Sequence, residues 1–182
     1  GRIEFAYYLM ATASGIKMTT SRLLEENGRA HFMTKRFDRA GKSTKHHIQT
    51  LCAMNHVDYK KKSTNSYEQL LMTLNELTLP HDAYVEVFRR MIFNVMGRNC
   101  DDHSKNFSFI LKEGSNWELS PAYDITFAHN PHGEWTNQHL MSVNGKFNHI
   151  TADDILQVAN RFGVGEAQQL ITEIRETIKL WP

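Results

Sequence analysis

The sequence predicts an α+β domain that is mostly helical. Several segments carry apolar residues at the spacing of an amphipathic helix, and two pairs of short strand-like segments flank turns. The chain has 182 residues, of which 41% are hydrophobic, which suits one domain with a sizeable core, or one domain plus part of another. It shows no internal repeat and no low-complexity segment.

The first predicted element is a helix over residues 3–13, in which Phe5, Tyr8 and Leu9 have helical spacing. Gly15 is expected to end this helix.

A β-hairpin is predicted next, with one strand at residues 21–26 and the other at residues 30–35. The pair Asn27-Gly28 between them is typical of a type I′ turn, because both central residues of that turn need positive φ angles.

Four further segments precede the longest predicted helix. The polar stretch 36–44 contains a glycine and is expected to be a hinge, and residues 46–54 are expected to form a short helix. Residues 58–65 include three successive lysines and predict a solvated loop, whereas residues 67–77 predict another helix.

The longest predicted helix begins near Pro80, a residue that suits the first turn of a helix. Gly97 is expected to end it as a left-handed cap. One apolar stripe runs along this helix and consists of Tyr84, Phe88, Met91, Ile92, Val95 and Met96.

The second half of the chain predicts a further hairpin, with strands at residues 107–111 and 117–119. Residues 126–150 lack a clear periodicity and predict a long functional loop. Thr151 and Asp154 approximate a capping box for a helix that ends at Gly163. A last predicted helix carries Leu170, Ile171, Ile174 and Ile178.

Charge and cysteine content restrict the class of protein. Lysine and arginine exceed aspartate and glutamate by 21 − 20 = 1, so net charge alone implies neither nucleic acid nor an anionic membrane as a partner. The two cysteines, Cys52 and Cys100, are expected to be reduced thiols in a cytoplasmic protein. The apolar runs are far shorter than the roughly 20 residues that span a bilayer, and nothing resembles a signal peptide.

Three polar residues follow the longest predicted helix in an order that is typical of phosphoryl transfer. Asn106 comes five residues after Asp101, and Asp124 lies beyond the second hairpin, which can return it towards Asn106. Kinase-type transfer needs one aspartate that orients the attacking hydroxyl, and an asparagine and a second aspartate that hold Mg²⁺ against the phosphates. Such residues also flank turns in many proteins. The ordered set of three favours the catalytic interpretation.

The histidines of the 126–150 segment allow a different hypothesis, a zinc cluster of His129 and His132 with His139 and His149 nearby. Their spacing fits none of the usual zinc patterns and no cysteine supports it, so hydrogen-bonded or exposed histidines are the favoured interpretation. Trp117 and Trp135 lie on or near predicted loops and are weak candidates for contact with a partner.

The run Asp101-x-His103-x-x-Asn106, followed by Tyr123-Asp124, resembles the HipA/HipT family of bacterial serine/threonine kinases, the toxins of type II toxin–antitoxin pairs. Residues 36–39 are similar to that family's hinge, whose backbone contacts adenine. The similarity extends through residues 141–146 and the capped helix after them. It implies a protein-kinase-like fold, with a remnant of the small lobe and the hinge at residues 1–38 and the helical large lobe at residues 39–182.

The resemblance also implies ATP and Mg²⁺ as cofactors and assigns a role to each motif residue. Asp101 is implied as the base or hydroxyl-orienting residue, and Asn106 and Asp124 are implied as the metal ligands. Besides these two ligands, the implied neighbours of the nucleotide are Lys35, Arg36, Phe37, Asp38, His103 and Tyr123.

The partners that the resemblance implies are proteins. An aminoacyl-tRNA synthetase is the implied substrate class, and a HipB-like DNA-binding antitoxin is the implied neutralising partner. Direct binding of nucleic acid and attachment to a membrane are not expected.

Two parts of the family's pattern are missing from this sequence. In the family, a Gly-rich phosphate loop and a strand lysine precede the helix that contains Glu4, and neither is present here. The first residues do not look like an initiator sequence. We therefore expect an N-terminally truncated fragment that by itself binds ATP weakly and phosphorylates little.

Two alternatives to a protein kinase stay open. Phosphatidylinositol kinases share the Asp-x-His-x-x-Asn spacing, although this chain has no basic or amphipathic segment that would dock on a membrane. The other alternative is an interaction module without catalysis, which the missing phosphate-gripping parts favour.

Overall fold

The computed structural model describes residues 1–181, and its N-terminal part is a helix packed against a β-hairpin. Helix α1 spans Arg2–Ala13 and contacts strands β1 (Ser21–Glu26) and β2 (Arg29–Thr34). Between the strands, Asn27 and Gly28 have φ angles of 50° and 74°, as a type I′ turn requires. The helix and the hairpin predicted for this region are both confirmed.

The segment after this hairpin differs from the prediction. The expected hinge contains a small antiparallel pair, β3 (Arg39–Ala40) with β4 (Thr44–Lys45). The expected helix over 46–54 is wrong in its first half, which forms strand β5 (His47–Thr50), and only α2 (Leu51–Met54) is helical. Strand β5 finds a partner in a distant strand, and the Thr50 side chain caps α2 by accepting a hydrogen bond from the Ala53 amide.

Strands β7 (Ser108–Leu111) and β8 (Trp117–Leu119) pair with each other, so the second predicted hairpin is confirmed. With β5 they form a three-stranded antiparallel sheet in the order β5-β7-β8. Strand β6 (Asn65–Ser66) forms a short parallel pair with β9 (Met141–Ser142). This pair joins the long 126–150 segment to the beginning of the helix that starts at Tyr67.

Four helices form the larger part of the domain: α3 (Tyr67–Glu76), α4 (His81–Met96), α5 (Ala152–Phe162) and α6 (Ala167–Lys179). Helix α4 packs on α3 and α6, and its predicted apolar stripe faces the core. Phe88, Met91 and Ile92 of the stripe are buried, and its other three residues are partly buried against them. The capping box predicted for α5 is present, and Gly163 ends that helix with a φ of 70°.

The end of α4 corrects one detail. Gly97 has a φ of −82°, and the left-handed residue is its neighbour Arg98, with a φ of 56°. A side chain at position 97 would place its Cβ atom 2.8 Å from the Phe93 carbonyl oxygen, so close approach rather than left-handed geometry requires a glycine there.

Cys52 and Cys100 form no disulfide, as the sequence predicted, and both are buried. No helix within residues 1–181 is long and apolar enough to cross a membrane.

Candidate active site

The loop formed by residues 99–106 connects α4 to β7 and carries three of the predicted site residues, Asp101, His103 and Asn106. The left-handed turn at Arg98 directs the chain away from α4, and the Asn99 amide still donates to the Asn94 carbonyl oxygen at 3.0 Å. The Cys100 amide donates to the Ala128 carbonyl oxygen at 3.1 Å. A single 3₁₀ turn at Ser104–Asn106 then leads into the sheet. The loop is therefore held at both ends by rigid elements.

Asp101 lies in the middle of this loop with 46% of its side chain exposed. Burial raises the pKa of its carboxyl group above the ordinary value; the charge of His103 opposes the rise, and the charges of Asp124 and Asp102 add to it. Asp101 and Asp124 therefore interact electrostatically although 23 positions separate them (124 − 101). A carboxylate with a raised pKa is a better acceptor for a hydroxyl proton.

Asn106 is fixed by its own amide group. Its Nδ2 atom donates to the Asp101 carbonyl oxygen at 3.0 Å, and no hydrogen bond of the described residues uses its Oδ1 atom. Asn106 and Asp124 line the same small cavity, so the structure brings these two predicted ligands together. The Asp124 side chain is exposed, and its φ of 56° places it in the left-handed region, a conformation that occurs often at functional sites.

The approach to Asp124 is held by a buried ion pair. Arg90 is 2% exposed, and its Nε atom donates to Glu86 at 2.8 Å. The same guanidinium donates from its Nη2 atom to the Ser120 carbonyl oxygen at 2.8 Å. Helix α4 thus fixes the chain four residues before Asp124.

Asn106 and Asp124 fit a magnesium ion. Among the residues that the structure describes, no three His, Cys, Asp or Glu side chains form a group that could hold a metal ion. Mg²⁺ needs fewer protein ligands than that, because it keeps several waters and is completed by substrate phosphates. Asn106 and Asp124 line a common cavity, and their side chains offer an amide oxygen and a carboxylate, the hard oxygen ligands that Mg²⁺ prefers.

A second cavity lies beside the segment that was predicted to be the hinge. It is lined by Lys35, Arg36, Phe37, Asp38 and Tyr123 together with residues of the strands around them. The Phe37 and Tyr123 rings lie 5.7 Å apart, and the Tyr123 hydroxyl donates to the Lys105 carbonyl oxygen at 2.7 Å. The structure therefore brings the predicted hinge and Tyr123 to one pocket with an aromatic wall.

Within this pocket, the Asp38 side chain is occupied by neighbouring arginines. Its Oδ1 atom accepts a hydrogen bond from Arg36 Nε at 2.8 Å, and Arg39 lies 2.9 Å from its Oδ2 atom. The hydrogen bond from Arg36 lowers the pKa of Asp38, so this carboxylate stays ionised and fixes the bend of the hinge.

His103 is not brought to that pocket, although the sequence predicted it to be a neighbour of the nucleotide. It lines a third cavity with Tyr59, Lys60, Asp101, Trp135 and Leu140. Its ring lies 5.4 Å from the Tyr59 ring, and its Nε2 atom is 3.8 Å from Asp101 Oδ1. Asp101 and His103 therefore line one cavity, whereas Asn106 and Asp124 line another.

Sequence reasoning missed two parts of this site. Tyr59 gave no signal, because it precedes three lysines in a segment that was predicted to be a solvated loop. Asp102 is more important: it is 1% exposed and hydrogen-bonded to the Tyr67 hydroxyl, at 2.8 Å, and to His139, at 3.0 Å. The pair Asp101-Asp102 was the available signal for Asp102. Where one of two adjacent aspartates is buried, it needs hydrogen-bonding or charged partners, because aspartate is almost never buried unpaired.

Three comparisons relate this chain to known proteins. A family model described as the HipA-like C-terminal domain matches residues 1–181. A Haemophilus influenzae protein named "Putative kinase" is 30% identical, over 79% of this chain and 49% of that protein. HipA of Shewanella oneidensis MR-1, solved in complex with HipB and its operator DNA, matches with a TM-score of 0.76 and 21% identity, over 99% of this chain and 49% of that chain.

The structural match shows the mixed α/β fold. The chain spans about half the length of the relatives that it matches.

Proposed function

The chain belongs to the HipA-like C-terminal domain family, and from this premise we propose that its protein is a kinase that transfers the γ-phosphate of ATP to a serine or threonine hydroxyl of another protein. The family, and a relative whose name describes a kinase, support the class of reaction. The observation that carries the proposal is the convergence of Asp101, Asn106 and Asp124 around one loop.

Each of these residues has a distinct task in the proposed reaction. Asp101 accepts a hydrogen bond from the attacking hydroxyl and steers it towards the phosphate. Asn106 and Asp124 would hold Mg²⁺, which supplies positive charge against the phosphate oxygens when it is bound. Because the Asn106 amide is bonded to the Asp101 backbone, the metal ligand and the hydroxyl-orienting residue keep a fixed distance from each other.

The hinge-side cavity is the proposed site of the adenine base. Residues 35–38 line it, and Tyr123 provides an aromatic surface at its wall. Asp124 follows Tyr123 directly, so a nucleotide bound here would direct its phosphates towards the metal-binding pair.

The His103 cavity is the proposed entry for the acceptor. Asp101 lines it, and on the other side Asp101 interacts with Asp124, so a hydroxyl that enters here meets the carboxylate before the phosphate. Tyr59, Trp135 and Leu140 give the cavity aromatic and apolar walls, which suit a polypeptide segment better than a bare polar headgroup.

The partners remain those expected from the resemblance. An aminoacyl-tRNA synthetase is proposed as the substrate and a HipB-like antitoxin as the inhibitor, in a cytoplasmic toxin–antitoxin pair. The Shewanella HipA, which was solved with HipB and operator DNA, supports the second partner. The division into a small-lobe remnant at 1–38 and a helical lobe at 39–182 also stays a prediction.

Transfer of radiolabel from ATP tests the proposal. The full-length protein is incubated with cell extract, labelled ATP and Mg²⁺, and the labelled band is identified. We expect Asp101→Asn and Asp124→Asn to lose nearly all transfer. Asp153→Asn, in the exposed first turn of α5, serves as the matched control and keeps it. Equal labelling by the wild-type protein and the Asp124→Asn variant would refute the metal-binding role, and labelling of lipid instead of protein would favour the lipid-kinase alternative.

A further inference from the structure

The carboxylate of Asp102, next to the proposed catalytic Asp101, is buried and joins three separate parts of the chain. Its Oδ2 atom accepts hydrogen bonds from the Tyr67 hydroxyl at 2.8 Å and from His139 Nδ1 at 3.0 Å. Its Oδ1 atom accepts from the Leu140 backbone amide at 2.8 Å. One side chain therefore links the 99–106 loop to the first residue of α3 and to the segment that leads into β9.

The hydrogen bonds continue from Tyr67 to the beginning of the same loop. The Tyr67 hydroxyl accepts from Asn94 Nδ2 at 3.0 Å, and Asn94 Oδ1 accepts from Asn99 Nδ2 at 3.0 Å. Tyr67, Asn94 and Asn99 are each at most 3% exposed, so these bonds lie in a medium where they are strong and where a missing partner is costly.

His139 carries the positive charge that balances Asp102. Its side chain is 8% exposed, and its Nε2 atom lies 3.9 Å from the Cys100 sulfur. Burial alone would lower the pKa of His139, but the hydrogen bond with Asp102, supported by the contact with Cys100, raises it to about 10. His139 and Asp102 are therefore an imidazolium–carboxylate pair at neutral pH.

We propose that Asp102 and His139 are positioning residues, which hold the 99–106 loop so that Asp101 and Asn106 keep the geometry that phosphoryl transfer needs. The inference rests on the proposed kinase function. Asp102 itself offers no free oxygen to a metal or to the acceptor, since both of its oxygens accept hydrogen bonds from protein donors. Its effect reaches Asp101 through the peptide bond and reaches Asn106 through the Asn106–Asp101 hydrogen bond.

The same pair also places part of the acceptor cavity. Leu140 donates its amide to Asp102 and lines the His103 cavity with its side chain. The His139–Asp102 pair therefore connects the long 126–150 segment to the catalytic loop, so that the two walls of the acceptor cavity are assembled together.

The first test measures the pair without measuring activity. Nitrogen-15 NMR of the imidazole rings reports whether His139 is protonated. In the wild-type protein we expect the His139 imidazolium signal to persist at pH 8, and in Asp102→Asn we expect that signal to be replaced by a neutral imidazole. A wild-type His139 that titrates near pH 6.5, the ordinary value, would overturn the ion pair on which the proposal is built.

The second test separates positioning from general stability. Steady-state transfer is compared for His139→Gln and for His129→Gln, the matched control, because His129 lies 3.7 Å from the same Cys100 sulfur yet makes no hydrogen bond with Asp102. Since a displacement of about 1 Å at a reacting group costs on the order of 100-fold in rate, we expect His139→Gln to lower kcat roughly 10- to 100-fold. The KM for ATP should change less than about twofold, and the control should stay within about twofold of wild type.

The remaining outcomes decide the matter as well. A kcat that is unchanged in His139→Gln overturns the positioning role, and so does a loss of kcat that only follows the unfolded fraction measured by circular dichroism. If the wild-type protein transfers no phosphate, the proposed function fails and the positioning role with it, whereas the NMR experiment still decides whether the buried pair exists.

Discussion

At the scale of single residues, Asn106 shows how one side chain can serve two purposes. Its amide nitrogen donates a hydrogen bond to the Asp101 carbonyl oxygen at 3.0 Å, which leaves its oxygen free, and the residue lines the cavity shared with Asp124. An aspartate at this position would keep an oxygen ligand but would place a negative charge beside that carbonyl. An alanine would remove both functions.

These differences give a prediction for two variants. We expect Asn106→Ala to raise the Mg²⁺ concentration needed for half-maximal transfer at least roughly tenfold. Asn106→Asp should shift that concentration much less and should instead lower kcat, because the lost hydrogen bond releases the Asp101 backbone. Titration of transfer with Mg²⁺ measures both quantities. Identical Mg²⁺ dependence in the wild-type and alanine proteins would show that Asn106 is not a ligand.

Trp135 gives a second prediction at this scale. Its side chain lines the His103 cavity, the residue is 46% exposed, and Lys62 Nζ lies 4.5 Å from its ring centre, which holds the ring in place. Loss of an aromatic contact at an interface commonly costs about 1–2 kcal/mol, which corresponds to a roughly 5- to 30-fold change in affinity. We therefore expect Trp135→Ala to raise the KM for the protein acceptor by about that factor and to leave the KM for ATP unchanged.

Phe127→Ala is the matched control for Trp135. Phe127 is 49% exposed on the same long segment but does not line the His103 cavity. Steady-state kinetics with the acceptor varied at saturating ATP distinguishes the two variants. If both change the acceptor KM equally, exposed apolar surface in general, and not this cavity, contributes to acceptor binding.

At the scale of elements, the N-terminus of α5 depends on one hydroxyl group. Thr151 Oγ1 accepts a hydrogen bond from the Asp154 amide, and Asp154 Oδ2 accepts from the Thr151 amide at 2.9 Å. Asp154 is also paired with Lys146 at 2.8 Å. Removal of a capping hydroxyl costs about 1 kcal/mol, so we expect Thr151→Ala to lower the free energy of unfolding by about that amount.

Urea denaturation measures this change, and Thr172→Ala provides its comparison. Thr172 is exposed within α6, where its hydroxyl donates to the Gln168 carbonyl oxygen and caps nothing. Because alanine has the higher helix propensity, that variant should be neutral or slightly stabilised. Equal destabilisation of the two variants would mean that the capping box contributes nothing.

The elements also show what the sequence could and could not predict. Helices α1, α4, α5 and α6 were found from apolar periodicity and end signals, which are local. Strand β5 was mistaken for a helix because its partner β7 is far away in the sequence: Ile48 pairs with Ile110, 62 positions later (110 − 48). Such pairing leaves no local signal.

 In the register that the structure shows, Ile48 lies opposite Ile110 and Gln49 opposite Phe109.

The candidate site likewise has a part that the sequence could predict and a part that it could not. Asp101, Asn106 and Asp124 could be predicted because their order and the hairpin between them are visible along the chain. The hydrogen bond between Asp102 and His139, and the cavity that joins Tyr59 to Trp135, connect residues far apart in sequence. No periodicity or spacing encodes such contacts, since they depend on how α3 and the 126–150 segment pack around the loop.

At the scale of the whole molecule, the pH dependence of the free energy of unfolding depends on two buried ionisable groups whose pKa values are shifted in opposite directions. The pKa of Asp154 is lowered, first by its hydrogen bond with Lys146 and then by those with Thr151, so its stabilisation is present above about pH 3.8 and is lost as the pH falls further. The pKa of His139 is raised from 6.5 to about 10, so its stabilisation is complete below about pH 6.5 and is lost as the pH rises towards 10. We therefore expect maximal stability between these two limits.

The alkaline side of this profile provides the final prediction. Between pH 7 and 10, the wild-type protein should lose stability more steeply than His139→Gln, because only the wild-type protein must release a proton from the buried imidazolium beside Asp102. The free energy of unfolding, measured by urea denaturation at several pH values, gives the difference between the two curves, in which the titration of all shared groups cancels. His129→Gln should follow the wild-type curve, since His129 makes no hydrogen bond with Asp102. Parallel curves for wild type and His139→Gln would show that the 126–150 segment is held to the catalytic loop by packing and neutral hydrogen bonds alone.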